Sequence, residues 1–320
     1  MRDTSPPLHF GLTPWVDDLA GAADVIAGQA ATAESMGYQS LWLPESHFVA
    51  EGSCPNPLLL LAAAAARTST LRLGTTSYLL PIRNALQAAE DVAILDRISG
   101  GRVILGLGRG FRRALFEAFE VPPAEKRDRF EAALTVMRQA WSGAAVSTNG
   151  SEPIHLSPLP VQNPHPPLWV AAFGPKALTQ AARLGLPYLA SPMESFDRLA
   201  SNYQLHREML IEHGNHSDLP VPIMRTVFTS SSSDSLRRVR ESLAAQLQEL
   251  KASASTMLRR RAQMAVEDWA LVGTPAEVAE EVARYRQELG MTHLIVRGAV
   301  PGAASAERLR SLETLLEALA

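Results

Sequence analysis

The chain has 320 residues, of which 46% are hydrophobic and 20% charged, so it can bury a sizeable core and disorder is not expected. A formal net charge of −3 argues against nucleic acid or an anionic membrane as the main partner. The single cysteine, Cys54, excludes an internal disulfide framework, and the amino-terminal MRDTSPPLHFG lacks the apolar stretch of a signal peptide, so we expect a cytoplasmic globular protein.

Short apolar strands alternate with helix-length amphipathic segments along the chain. The predicted strands cover Leu8–Thr13, Ser40–Leu43, Leu71–Leu80, Arg102–Gly106, Leu168–Ala172, Tyr188–Ala190, Pro222–Thr229 and His293–Arg297. The predicted helices begin near Asp17, Asn56, Asn84, Glu125, Pro175, Ser195, Asp234, Pro275 and Ser305. Eight strands too apolar to be half-exposed indicate an α/β fold with a parallel sheet, and their number favours a closed (β/α)₈ TIM barrel that forms a single domain over residues 1–320.

Two segments are longer than the basic strand–helix repeat requires. Ser142–Pro167 comes after the fourth strand and contains Asn149–Gly150, a pair that favours a hairpin turn. Thr229–Asp268 comes after the seventh strand and carries three consecutive arginines at 259–261. We expect insertions after strands 4 and 7, and long insertions of this kind often cover an active site. A solvated helix face is the more ordinary interpretation of the arginine run.

The end of the second predicted strand is a candidate for proton transfer. In a parallel barrel, reactive groups lie at the carboxyl ends of strands, and this strand runs into Glu45, Ser46, His47 and Phe48. A histidine there could act as a general acid or base near neutral pH. It could equally hydrogen-bond a neighbouring loop without a catalytic role, and the residues alone leave both interpretations open.

The third predicted strand is interrupted by the polar residues Thr75, Thr76 and Ser77. This interruption predicts a bulge at which the backbone turns towards a ligand. A plain strand with hydroxyls on its inner face is the alternative.

The fourth predicted strand leads into a glycine-rich turn, Gly106–Gly110, whose one charged side chain is Arg109. Glycine lets the backbone approach an anion, and a guanidinium group binds two of its oxygens at once. Arg127, on the following helix, has the spacing of the core residues Phe130 and Leu134, which places it near the buried side, where a charge requires an anion. The two arginines predict a phosphate clamp, with a structural salt bridge as the alternative.

The fifth predicted strand ends in Phe173 and is followed by Gly174, Pro175 and Lys176 at the start of a helix. Free amides at a helix amino terminus bind anions, although an ordinary strand-to-helix turn has the same sequence. The eight histidines include no pair at metal-ligand spacing beside a carboxylate, so we predict no metal site.

Three segments together carry a family resemblance: GYQSLWLPESHF, the long run from NPLLLLAAAAARTSTLRLGTTSYLLP to GGRVILGLGRGF, and VGTPAEVAEEVARYRQELGMTHLIV. On these segments the chain resembles the bacterial luciferase-like flavin-dependent monooxygenases over nearly its whole length. The resemblance implies a (β/α)₈ barrel that binds FMN noncovalently at the carboxyl ends of its strands.

The resemblance also assigns expected roles to residues around the cofactor. Arg109, with Gly110 beside it, and Arg127 match positions that bind the FMN phosphate, and the turn Phe173, Gly174, Pro175, Lys176 matches the segment whose amides hold it. Thr76 and Ser77 match a bulge that commonly carries a non-proline cis peptide beneath the flavin ring. Trp15, Glu45 and Met193 are expected to shape the substrate side.

One position departs from the luciferase pattern. Catalytic subunits of bacterial luciferase read Glu-His-His-Phe where this chain reads Glu45, Ser46, His47 and Phe48. The usual catalytic histidine is therefore Ser46 here, and luciferase activity itself is not expected. His47 matches the second histidine, and also the histidine of the deazaflavin-dependent branch of the superfamily, and it is our candidate for the catalytic proton.

The helix beginning at Pro57 is apolar around most of its circumference, which on an outer helix requires burial. Because the second and third helices pair between subunits in this family, the resemblance implies a homodimer through Leu58–Arg67 and Leu86–Ile98. Tight packing within one subunit is the alternative.

The function expected from the sequence is a monooxygenase that uses O₂ and reduced FMN, supplied by a transiently bound flavin reductase, to oxidise a small organic substrate. A deazaflavin-dependent hydride transferase on the same barrel is the first alternative. A flavin-binding protein without turnover is the second, because the first histidine is absent.

Overall fold

The computed structural model describes residues 7–16, 23–49, 52–147, 152–253 and 265–319. The chain divides into two compact units. The central unit comprises Asp18–Ser35 and Gln39–Ala171, and the terminal unit comprises Met1–Asp17, Met36–Tyr38 and Ala172–Ala320.

Parallel strands alternate with helices along the described chain. The strands are β1 (His9–Leu12), β2 (Ser40–Leu43), β3 (Arg72–Thr75), β4 (Tyr78–Leu79), β5 (Val103–Gly108), β6 (Leu168–Ala171), β7 (Tyr188–Leu189), β8 (Pro222–Thr229), β9 (Ala270–Gly273) and β10 (His293–Arg297). The helices are α1 (Ala23–Met36), α2 (Pro57–Ala65), α3 (Ala85–Ser99), α4 (Arg113–Ala118), α5 (Lys126–Trp141), α6 (Pro175–Arg183), α7 (Phe196–Glu212), α8 (Ser233–Ser253), α9 (Pro275–Leu289) and α10 (Ser305–Leu319).

The central unit is a parallel sheet with the strand order β2-β3-β5-β6, in which β4 also pairs with β5. All six residues of β5 are buried, as expected of a parallel strand that is covered on both faces. The indole of Trp42 stacks on that of Trp169, with ring centres 4.9 Å apart, and Gly74 is the β3 partner of Trp42. A small residue at position 74 therefore leaves room for the indole pair.

Asparagine caps fix where the helices of the central unit begin. The side chain of Asn56 accepts a hydrogen bond from the Leu59 amide at the start of α2, and that of Asn84 accepts one from the Leu86 amide at the start of α3. Gly100 ends α3 with a φ of +67°, a left-handed conformation that favours glycine. The predicted starts of both helices are confirmed.

In the terminal unit, parallel strands pair in the order β1-β10-β8-β9. The first half of β8 pairs with β10 and the second half with β9, while Ala190, just after β7, forms a bridge to Ile223. Thr274 and Glu277 form a reciprocal capping box at the start of α9. Among the helices that the structure describes, none combines the length and apolar character needed to cross a membrane.

The structure corrects the predicted elements at three places. The third predicted strand is divided into β3 and β4, and neither the short strand β9 nor the short helix α4 was predicted. Asn149–Gly150, the arginines at 259–261 and the predicted helix start at Asp17 lie outside the described residues. The single domain over 1–320, the closed barrel and the insertions after strands 4 and 7 stay predictions.

We expect Gly74→Ala to destabilise the protein by about 1–3 kcal/mol, the usual cost of overpacking a core. A β-carbon at this position would overlap the ring of Trp42, which is itself fully buried. Urea unfolding followed by circular dichroism measures the change.

Gly28→Ala is the matched control, because a β-carbon there has no neighbour within 4 Å and Gly28 lies inside α1. It should leave stability unchanged or raise it by up to about 1 kcal/mol. Equal effects of the two substitutions would contradict the packing argument.

Candidate functional site

The glycine-rich turn after β5 carries a buried guanidinium group. Arg109 is 8% exposed, its Nη2 donates to the carbonyl oxygen of Ala171 at 2.6 Å, and its Cζ lies 5.3 Å from the centre of the Phe130 ring. Burial lowers the pKa of Arg109 to about 10, so the group stays charged at neutral pH. Gly110, with a φ of +70°, adopts a conformation that favours glycine and turns the chain directly after this charge.

Two further cations, Lys126 and Arg127, lie at the start of α5 near Arg109. Besides burial, the positive charge of Arg127 lowers the pKa of Arg109, while Glu131 raises it. Burial lowers the pKa of Lys126, and the charges of Arg127 and Arg109 lower it further. We call Arg109, Lys126 and Arg127 the cation cluster. Two cations beside a buried guanidinium group, three mutually repelling positive charges in all, fit an anion such as a phosphate.

The expectation that Arg127 lies on the buried side of its helix is wrong. Arg127 is exposed, because the first turn of α5 extends past the core and the buried face begins at Phe130. Lys126, which was not predicted, is half-buried. The sequence could have indicated this burial, because Lys126 lies four residues before Phe130 and seven before Ala133, and positions with this spacing share one face of a helix.

The bulge predicted after β3 lies against the glycine-rich turn. The Thr76–Ser77 peptide is cis, as predicted. The Thr76 amide donates to the carbonyl oxygen of Leu43 at 2.8 Å, and a β-carbon on Gly108 would overlap the Ser77 hydroxyl. The structure thus brings Ser77 beside the residue that precedes Arg109.

Glu45 is a buried carboxylate held by three groups. Its Oε1 lies 2.7 Å from Nε2 of His47 and accepts a hydrogen bond from Nη1 of Arg83 at 2.8 Å, while its Oε2 accepts one from the Leu79 amide at 3.0 Å. The Glu45 side chain is fully buried and held in place by these contacts. It therefore fixes the orientation of the His47 ring through Nε2. A part for Glu45 in shaping the substrate side stays a prediction.

Ser46 holds the loop that follows β2. Its hydroxyl donates to the carbonyl oxygen of Gly52 and accepts from the Cys54 amide, both at 3.0 Å, and the Ser46 and Cys54 backbones form an antiparallel bridge. The position at which luciferases carry their first histidine therefore has a structural role here. Burial, with a further contribution from the charge of Glu45, raises the pKa of the Cys54 thiol to about 12.

The imidazole of His47 lines a pocket of about 290 Å³ within the central unit. Tyr78, Arg83, Asn84, Asp91 and Phe119 are among the other lining residues. The ring of His47 meets that of Phe119 edge-on at a centre distance of 5.2 Å. Glu45 occupies Nε2, and Nδ1 is therefore the ring nitrogen to which the described residues make no hydrogen bond.

The predicted phosphate-binding turn Phe173–Lys176 lies in the terminal unit. Phe173 is 47% exposed, Gly174 precedes α6 with a φ of +81°, and Pro175 is the first residue of that helix. Lys176 is exposed. This turn has the open helix amino terminus that an anion requires, and its role in binding phosphate stays a prediction.

The predicted substrate residues Trp15 and Met193 also lie in the terminal unit. Trp15 is 8% exposed, and its carbonyl oxygen accepts a hydrogen bond from Nη1 of Arg308 at 2.9 Å. Met193 packs against an apolar cluster that contains Phe228 and Trp269. Over the described residues, His, Cys, Asp and Glu side chains do not gather into a group of three or more that could hold a metal ion.

The profile of the luciferase-like monooxygenases matches residues 10–293, so the chain belongs to that family. This confirms the resemblance seen in the sequence.

Among curated relatives, an uncharacterized protein of Sinorhizobium fredii is 34% identical over 58% of this chain and 57% of its own length. The 4-hydroxyprotoasukamycin monooxygenase of Streptomyces nodosus subsp. asukaensis is 31% identical over 58% of this chain and 53% of its own. The oxygenase component of the flavin-dependent trigonelline monooxygenase of Acinetobacter baylyi is 26% identical over 63% of this chain and 58% of its own length. The matches thus span little more than half of these relatives.

Solved structures match over almost the whole chain. The monooxygenase RslO1 from Streptomyces bottropensis has a TM-score of 0.82 and 26% identity over 98% of both chains. The oxygenating constituent of 3,6-diketocamphane monooxygenase from Pseudomonas putida, in complex with FMN, has a TM-score of 0.79 and 19% identity over 98% of both. The coenzyme F420 dependent tetrahydromethanopterin reductase from Methanopyrus kandleri has a TM-score of 0.76 and 19% identity over 97% of both chains. At 19% identity, the last two structures show that the fold is similar and nothing more.

We expect Glu45→Ala to lower the free energy of unfolding by about 3 kcal/mol, because it leaves Arg83 without its carboxylate in a largely buried place. Urea unfolding measures the loss.

Glu117→Ala is the control, since Glu117 pairs with Arg113 at 2.7 Å but both side chains are largely exposed. It should cost less than about 1 kcal/mol. A loss at Glu45 no larger than at Glu117 would refute the anchoring role.

Proposed function

We propose that the protein is a flavin-dependent monooxygenase, which uses O₂ and reduced FMN to oxidise a small organic substrate. The cation cluster is the observation that carries this proposal. A phosphate monoester has a charge of about −1.5 to −2 at neutral pH, and the cluster provides a buried guanidinium and two further cations beside it. A structural salt bridge needs one positive charge for each carboxylate, whereas the cation cluster brings three positive charges together.

In this proposal, the residues of the central unit hold FMN by its phosphate and its ring. Arg109, Arg127 and the newly found Lys126 bind the phosphate, the backbone at Gly110 lets the phosphate approach, and the cis peptide between Thr76 and Ser77 supports the ring. The turn Phe173–Lys176, in the terminal unit, offers backbone amides at the start of α6, and these are proposed to bind phosphate as well. The bound reduced flavin supplies the electrons that activate O₂.

His47 is the proposed proton donor and acceptor of the reaction. Glu45 fixes its ring through Nε2, and Nδ1 remains for the reacting group or a water. A fixed ring orientation favours proton transfer because the donor must lie within hydrogen-bond reach of its target. Trp15 and Met193, which lie in the terminal unit, are proposed as substrate-shaping residues.

A separate flavin reductase is the proposed source of reduced FMN. The trigonelline relative is named as an oxygenase component, and one similar structure is described as an oxygenating constituent. Both names support a two-component system, in which the reductase binds transiently. The closed (β/α)₈ barrel with insertions after strands 4 and 7, and the cytoplasmic location, belong to the same proposal.

A deazaflavin-dependent hydride transferase is the second candidate. The similarity to the F420 dependent reductase of Methanopyrus kandleri favours it, as does the match of His47 to the deazaflavin branch. A flavin-binding protein without turnover is the third candidate, since Ser46 replaces the first histidine of luciferases.

We expect Arg109→Ala to weaken FMN binding by at least about tenfold, because it removes a charge-assisted hydrogen bond worth about 1.5–3 kcal/mol. Quenching of flavin fluorescence measures the affinity. Arg129→Ala is the control, because Arg129 lies on α5, is exposed and pairs with Glu125 at 2.9 Å. It should leave the affinity unchanged.

The same titration, run with FMN and with a deazaflavin, separates the candidate functions. Tight FMN binding, together with consumption of O₂ and an organic substrate when a flavin reductase and NADH are present, supports the monooxygenase. Tight deazaflavin binding without FMN binding would instead establish the second candidate. FMN binding without substrate consumption would establish the third.

We also propose a homodimer through α2 and α3. Leu58 and Leu61 are buried, but Leu59 on α2 is 69% exposed, and Ile94 and Ile98 on α3 are 45% and 52% exposed. The two helices pack against each other, so their exposed apolar residues can form one face. Packing within one subunit does not cover these three side chains.

We expect Leu59→Arg to convert the dimer to monomers, because a charge at the centre of an apolar interface is not compensated. Analytical ultracentrifugation measures the mass. Ile211→Arg, at a similarly exposed residue (66%) on α7, should leave the dimer intact. A wild-type protein that sediments as a monomer would rule the dimer out.

A further inference from the structure

Arg297, the last residue of β10, carries a charge that the described structure leaves uncompensated. It is half-buried, and its Nη1 donates to Oγ1 of Thr226 at 3.3 Å. Within the described ranges, this is the one hydrogen bond of its guanidinium group, and no carboxylate lies within ion-pair distance. Burial lowers the pKa of Arg297, in line with an uncompensated charge.

Arg225 of the neighbouring strand shows how this fold treats a structural arginine. It is fully buried, and its guanidinium group donates to the carbonyl oxygens of Ser191, Met224 and Glu194 and to the hydroxyl of Tyr285. A buried arginine that serves packing thus uses its donors on the protein. Among the described residues Arg297 does not, which indicates a partner beyond them.

Arg297 lies on the sheet face opposite to the covering helix α9. Arg225 contacts Tyr285 of α9, and Thr226 follows Arg225 on β8, so its side chain lies on the other face. Arg297 is the register partner of Thr226 and bonds to its hydroxyl, so it shares that face. It also stands at the carboxyl end of its strand, where ligands bind in parallel α/β sheets.

The chain after Arg297 runs beside Trp15. A β-carbon on Gly298 would lie 3.0 Å from Cβ of Trp15 and 2.6 Å from the carbonyl oxygen of Thr13. The Gly298 amide also donates to Oγ1 of Thr13 at 3.1 Å. An anion-binding group and an aromatic residue are therefore close neighbours within the terminal unit.

We propose that Arg297 recognises a carboxylate on the substrate, so that the substrate class is an organic acid with an apolar body. Because Nη1 bonds Thr226, the edge formed by Nε and Nη2 is available, and this edge matches the two oxygens of a carboxylate. The name substrate rests on the monooxygenase proposal. The anion site itself rests on the contacts of Arg297 alone.

Calorimetric titration with 2-naphthoate and with its neutral analogue 2-naphthamide tests the site. The wild type should bind the carboxylate at least about tenfold more tightly than the amide, and Arg297→Gln should abolish this preference while leaving amide binding unchanged. Arg297→Lys should retain part of it, since lysine keeps the charge but not the two-donor edge. Arg310→Gln, at an exposed arginine of α10, should have no effect.

Thermal unfolding of Arg297→Gln separates recognition from structure. If Arg297 serves recognition, removing its uncompensated charge should leave the melting temperature unchanged or raise it. If Arg297 serves structure, the substitution should lower the melting temperature. A lowered melting temperature with the preference for the carboxylate intact, equal binding of both probes by the wild type, or binding of neither would overturn the proposal.

FMN titration of the same variants keeps the two proposals apart. Arg297→Gln should bind FMN as the wild type does. A wild type that discriminates between the probes but does not bind FMN would refute the monooxygenase and leave the anion site standing. Normal FMN binding with a preference that survives in Arg297→Gln would refute the anion site alone.

Discussion

The desolvated charge of Arg109 is the constraint on which the candidate site depends. A guanidinium group loses hydration when it is placed at the end of a fully buried strand, and nearby positive charges add to that cost. Glu131 offsets only part of it. In the proposed function, a phosphate bound at the glycine-rich turn would offset the rest of this cost.

The protein handles its buried charges in two different ways. Glu45 is neutralised within the chain, where Arg83, His47 and a backbone amide surround its oxygens. Arg297 is not balanced in this way by the described residues, among which its guanidinium group bonds only the hydroxyl of Thr226. Glu45 links the loop after β2 to Arg83 and to the Leu79 amide, and the anion site proposed at Arg297 rests on the contrast between the two groups.

Local patterns predicted most of the fold and little of the electrostatics. The strands β2, β8 and β10 have their predicted bounds, because an apolar run followed by a turn residue defines a buried strand. Strand β9 was missed because its four residues, between the predicted insertion and the helix start at Pro275, carry too short a pattern. Arg127 was misplaced because helical spacing gives the direction of a side chain but not where the core ends.

Within the candidate site, residues close in sequence were predicted and distant partners were not. The glycine-rich turn could be recognised from its composition, and the cis peptide from the family resemblance. The pairing of Glu45 with Arg83 joins residues 38 positions apart, and that of Arg297 with Thr226 joins residues 71 apart. Such pairs follow from strand order and register, which a single sequence does not specify.

The burial of Cys54 has a consequence for chemical durability. Burial raises the pKa of the thiol to about 12, which keeps it protonated at neutral pH, and oxidants and alkylating agents attack the thiolate. The one cysteine is therefore inert, and sulfur oxidation will fall on the nine methionines. If the proposed oxygenase activity is correct, the lifetime of the protein then depends on which methionines solvent can reach.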